Sequence, residues 1–137
     1  MKPLIYLFTA AVLFGATSCK KETVEQLPSI EKDLMGKWKF ERTRLGTGVV
    51  YVAVPGEVDM IDFKIDRVYQ RSTNGVNGAQ GTYELTQPIS IFSGKKDNAI
   101  TLRPQQDIPN IVRITKDSLY LAQNVYDGST SIFSRVK

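Results

Sequence analysis

The sequence predicts an all-β domain, an antiparallel up-and-down barrel of about eight or nine short strands entered through one short helical turn. Three observations predict it. From Gly36 onward, apolar and polar residues alternate at period two in one segment after another. Turn signals punctuate these segments at short intervals: Pro55-Gly56, Asp66-Arg67, Asn74-Gly75, Lys116-Asp117 and Asp127-Gly128. Helical spacing occurs convincingly once, over Ser29–Met35, where Ile30 and Leu34 share a face, Ser29 is placed to cap and Gly36 to stop.

The strands follow in order. Lys37–Leu45 sets Trp38 and Phe40 on one side and Lys37, Lys39, Glu41 and Thr43 on the other. Val49–Val54 is β-branched and apolar, and Pro55-Gly56 closes it. Val58–Ile65 aligns Ile61, Phe63 and Ile65 on one face, against Asp62 and Lys64 on the other. After the turn at Asp66-Arg67 comes Val68–Ser72, then a glycine-rich connection, Thr73–Gly81, placed to line a barrel mouth or simply to move. Gly81–Thr86 carries Tyr83 and Leu85 inward. Ile89–Phe92, Ala99–Arg103, Asn110–Thr115, Ser118–Gln123 and Thr130–Val136 complete the set. The candidate cavity-facing residues are therefore Phe40, Ile61, Phe63, Tyr83, Leu85, Leu102 and Leu121, with Arg42 added because it shares the parity of Trp38 and Phe40.

Closing such a sheet makes its first and last strands neighbours and removes the exposed edges. Trp38 would then plug one end, with the Arg135 guanidinium stacked on its indole, a contact worth about 1–2 kcal/mol when partly desolvated. Gly36, Trp38 and Arg135 form this candidate closing group. A core tryptophan in an unrelated β-sandwich is the plainer account of Trp38; its place directly after a helical turn and a glycine favours the barrel.

The N-terminus reads as an export signal. Leu4–Phe14 is an apolar run of eleven residues broken only by Thr9, preceded by Lys2 and followed by small residues. A membrane-spanning helix needs about 20 apolar residues, so this run is too short to be one. Ala16-Thr17-Ser18-Cys19 resembles a lipobox, the acylation and cleavage site of bacterial prolipoproteins, with Ala16 where leucine is usual. The resemblance implies that residues 1–18 are a signal peptide, that Cys19 carries two or three fatty chains such as palmitate, and that residues 19–28 tether the domain to a membrane. One chain holds only marginally, whereas two or more hold firmly. Lys20 follows Cys19 where aspartate often signals inner-membrane retention, so the resemblance points to the outer membrane of the cell envelope. Lys20 and Lys21 would lie beside anionic head groups.

Residues 29–137 resemble the lipocalin superfamily, and more closely the small lipocalin-like domains of bacterial lipoproteins. The matching pieces are Gly36-Lys37-Trp38, the hairpin from Phe63 to Tyr69, Gly81-Thr82-Tyr83-Glu84-Leu85, Thr115–Leu121, and Phe133 with Arg135. The resemblance implies a barrel that binds a lipid, a fatty acid or another small hydrophobic molecule. The other reading is an envelope interaction or structural lipoprotein with a solid core, working through its surface on a protein or polymer partner.

Chemistry is mostly excluded. The chain has no histidine, which removes Ser-His-Asp and Cys-His catalysis and the commonest zinc ligand. Its one cysteine is the acylation candidate. No P-loop or Gly-x-Gly-x-x-Gly occurs, so neither a catalytic residue, a metal site nor a cofactor is expected. The 18 basic and 14 acidic residues are interspersed, without the clustered stripe of a nucleic-acid binder. Asp59 shares the parity of Ile61, while Asp62 and Asp66 read as a solvated face. An interior Arg42 would pair with Asp59, be turned to water by a bulge, or anchor the carboxylate of a bound acid. Asp117-Ser118-Leu119 resembles a bacterial O-glycosylation tripeptide and makes an equally good hairpin turn.

Overall fold

A single antiparallel sheet closes on itself behind one helix. The computed structural model describes residues 27–137. The expected signal peptide, the acylated Cys19 and all but the last two positions of the tether lie outside the described residues. Those last two positions belong to the helix, α1, which runs Leu27–Leu34. It starts two residues earlier than the sequence suggests, because Leu27 joins Ile30 and Leu34 in packing against the core. Ser29 is thus inside the helix rather than capping it.

Nine strands follow: β1 (Gly36–Arg44), β2 (Val50–Val52), β3 (Asp59–Phe63), β4 (Val68–Thr73), β5 (Val76–Thr86), β6 (Ala99–Arg103), β7 (Asn110–Ile114), β8 (Ser118–Gln123) and β9 (Thr130–Arg135). The order is β1-β3-β4-β5-β6-β7-β8-β9, and β9 returns to β1. Every pairing is antiparallel, and the closing register sets Trp38 opposite Arg135 and Phe40 opposite Phe133. On its other edge β1 is shared: residues 36–39 pair with β3 and residues 42–44 with β2. The barrel therefore has eight strands plus a short flap.

The inward positions are those the alternation marks. Trp38, Ile61, Phe63, Tyr69, Tyr83, Leu85, Ile100, Leu102, Val112, Leu119, Leu121 and Phe133 form one core, capped at the end where β1 begins by Ile30 and Leu34 of α1. Among the described residues, α1 and the closed sheet together enclose this one core.

Five further sequence expectations fail, each for a local reason. Ile65 does not join Ile61 and Phe63, because β3 ends at Phe63 and Ile65 opens the 3-10 turn Ile65–Arg67, 73% exposed. Thr73–Gly81 is not a loop. Asn74 and Gly75 both take positive φ, 51° and 78°, and turn β4 directly into the long β5. Ile89–Phe92 is not a strand; only an isolated bridge, Ile89 to Lys96, forms there. Val49–Val54 shrinks to three residues, all exposed, because β2 extends past the core beside the upper half of β1. Arg42, finally, is not cavity-facing: of the alternatives the sequence leaves open, it takes the one in which a bulge turns it to water. The β1–β9 ladder steps from Phe40↔Phe133 to Arg42↔Ile132, so Glu41 is one residue too many and reverses the parity beyond it. The carbonyl of Glu41 accepts from Ala53 N, and its carboxylate accepts from Ser134 Oγ at 2.6 Å. Thr43 then takes the inward position, its hydroxyl 2.9 Å from that of Ser131.

Candidate functional site

The two ends of the barrel are finished differently. At the helix end, Gly36 has φ 107°, a conformation that lets α1 stop and β1 begin at once. Trp38 is 0% exposed, and its indole Nε1 donates to Leu34 O at 2.8 Å, fastening the helix to the first strand. The Arg135 guanidinium lies 4.1 Å from the Trp38 ring centroid. It also donates to three carbonyls: Asp33 O at 2.6 Å, Met35 O at 3.2 Å and Lys116 O at 3.2 Å. Arg135 thus ties α1, β1, the β7–β8 turn and β9 together. Among the described residues Gly36, Trp38 and Arg135 come together in one group.

The candidate cavity-facing residues separate into two classes. Phe63, Tyr83, Leu85, Leu102 and Leu121 are buried in the solid part of the core. Phe63 and Tyr83 meet edge to face with centroids 5.4 Å apart. Burial raises the Tyr83 phenol above its ordinary pKa; the Glu31 carboxylate adds to this and Arg67 opposes it. Phe40 and Ile61 instead border open space. With Asp59, Met60, Arg71, Ser72, Thr73 and Phe133 they line a partly open cavity of about 260 Å³ at the end away from α1. Its apolar wall is Phe40 against Phe133, edge to face at 5.7 Å. Its polar wall comes from β3 and β4, where Thr73 Oγ1 donates to Asp59 Oδ1.

The cationic group in this cavity is Arg71, which the sequence reading missed, and not Arg42. The signal was available: Tyr69, Arg71 and Thr73 alternate, and the register sets them opposite Phe63, Ile61 and Asp59. Tyr69 is fully buried, and that burial lifts its phenol above the ordinary pKa against the lowering influence of Arg71.

No protein-family model, curated protein or solved structure matches the chain. None of these comparisons supports the resemblance to the lipocalins, which is carried by the residues quoted above alone. Among the described residues there is no cluster of three His, Cys, Asp or Glu side chains that would hold a metal ion, and no helix long and apolar enough to cross a membrane. Ser118 sits at the β7–β8 turn, where its N–H donates to Thr115 Oγ1 at 3.1 Å.

Two surface features accompany the mouth. The β2 flap exposes Val50, Tyr51, Val52 and the following Val54, with Val52 at 67%. On the barrel's outside, a groove of about 400 Å³ runs between Phe92 and the outer residues Ile111, Arg113, Tyr120 and Ala122 of β7 and β8.

Proposed function

We propose that the chain is a lipid-anchored envelope protein whose lipocalin-like barrel holds a small, largely hydrophobic ligand in its open end. The anchor part of this reading is supported by the apolar run and the Ala16–Cys19 motif of the sequence. The binding part is carried by one observation: a cavity bounded by inward-facing residues of four barrel strands, apolar on the Phe40–Phe133 side and polar on the Arg71–Thr73 side. Small-molecule sites combine an apolar lining with a few convergent polar groups in this way. The role is one of binding and carries no chemical step.

Native mass spectrometry of residues 20–137, incubated with envelope lipid extract and a panel of hydrophobic small molecules, tests the binding part. A stoichiometric adduct lost on Phe40→Ala supports it; an adduct-free spectrum throughout overturns it. For the anchor, labelling with a palmitate analogue should mark the full chain, and Cys19→Ser should abolish the label and shift the protein to the soluble fraction.

The exposed valine flap favours a second reading, an interaction lipoprotein that offers β2 to a protein partner. Among the described residues the outer edge of β2 has no partner strand, and added strands dock on such edges. Cross-linking through a residue of the flap, with recovery of one reproducible partner, would favour this reading over the first.

A further inference from the structure

The inner face of β4 carries two donors that the barrel leaves unsatisfied. Tyr69 Oη and Arg71 Nε are both buried, and neither has a hydrogen-bond partner among the described residues. They are two residues apart on one strand and so share the inward face. Leaving a buried donor unpaired costs free energy, and a cationic one costs more. Tyr69 belongs to the packed half, whereas Arg71 lines the cavity, where an arriving acceptor can meet its guanidinium.

The strand around Arg71 is nonetheless well held. The β4–β5 ladder jumps from Gln70↔Gln80 to Ser72↔Asn77, so β5 bulges opposite Arg71. The Gln70 amide fills the gap by donating to the carbonyls of Arg71, Gly78 and Ala79. The backbone is satisfied while the guanidinium Nε is not. The nearby Asp59 carboxylate is engaged by the Thr73 hydroxyl. Opposite stands the apolar wall of Phe40 and Phe133. The cavity, at about 260 Å³, falls below the span of roughly 300–1,000 Å³ usual for drug-sized ligands. The cavity is partly open, so it covers a short chain more completely than a long one.

Building on the ligand-binding reading, we infer that the barrel mouth takes a small monocarboxylic acid with a short apolar tail. The carboxylate accepts from Arg71, and the tail packs on Phe40 and Phe133. A charge-assisted bond of this kind is stronger than its neutral counterpart, and it separates an acid from an alcohol of equal length.

The test uses residues 20–137 with three probes: octanoate, octan-1-ol and palmitate. Isothermal titration should show octanoate binding at least tenfold more tightly than octan-1-ol, and palmitate more weakly than octanoate. Arg71→Gln should bring octanoate down to the octan-1-ol level without changing octan-1-ol, and Arg71→Lys should recover part of the difference. Thermal melts establish that each variant folds. The carbonyl signal of 13C-octanoate bound to the unmodified chain gives an answer that needs no variant: it should titrate at lower pH than the free acid. Equal affinity for acid and alcohol, or a bound carbonyl that titrates like free octanoate, overturns the carboxylate assignment and leaves the ligand-binding reading standing. Tighter binding of palmitate overturns the preference for a short tail. Binding of no probe, together with an adduct-free mass spectrum, removes both readings.

Discussion

At the helix end of the barrel, an indole, a guanidinium and a helix C-terminus satisfy one another. Trp38 gives its N–H to Leu34 O, and Arg135 covers the ring and donates to three carbonyls. At the open end, Arg71 sits on the same kind of inward position with a buried Nε that has no partner. Two arginines on the inner surface of one sheet have thus been treated in opposite ways. One makes three hydrogen bonds within the fold, while the other is held in place by its backbone with its Nε unpaired among the described residues. A polar group in a barrel contributes to stability when its partners are on the chain, and it becomes available to a ligand when they are not.

Substitutions can break this contrast. Trp38→Ala should have the largest effect, about 3–5 kcal/mol by urea denaturation, because it empties the centre of the packed end and also orphans Leu34 O. Alkali should attack the same half next. Tyr69 and Tyr83 have phenols raised above the ordinary value of 10.0. The unfolded chain therefore releases these protons first, and stability falls as pH rises above about 10 towards the raised values. Urea midpoints measured across that range should decline, with little change below pH 9 from this source. Arg135→Met should cost about 2 kcal/mol, through loss of the carbonyl bonds and the ring contact. Arg71→Met, at the other end, should stabilise the empty barrel by about 1 kcal/mol, since it replaces an unsatisfied donor with an apolar chain of similar length. A loss of stability in Arg71→Met would mean that the two arginines are equally structural. Val52→Thr on the exposed flap should stay within about 0.5 kcal/mol of the parent in the same assay.

The course of the chain was legible wherever a strand has one buried face. Trp38, Phe63, Tyr83, Leu85 and Leu102 alternate with polar residues, and the alternation alone places them in the core. Closure was legible too, because Trp38 and Arg135 sit at matching positions on the first and last strands. What could not be read depends on a partner strand. The extra residue at Glu41 is visible only against the spacing of β9, and without it Arg42 takes the parity of Trp38. Val49–Val54 has the composition of a buried strand, yet burial requires a neighbour and β2 lies beyond the core. Two Asn-Gly pairs in succession suggest a loop, although only the first turns the chain and the second lies within β5 at its bulge. Arg71 is the opposite case: its parity with Tyr69 is in the sequence, but Gln70 and Ser72 beside it are polar too, so the alternation that marks an inward position is weak there.

The pairing of β1 with β9 also fixes an order of events during synthesis. β1 is the first strand to be made and β9 the last, so the ring cannot be joined while the ribosome is still supplying the strands between them. Contacts between such distant parts of a chain form slowly. Until the final strand is available, the two edges of the sheet stay apart and the barrel cannot close.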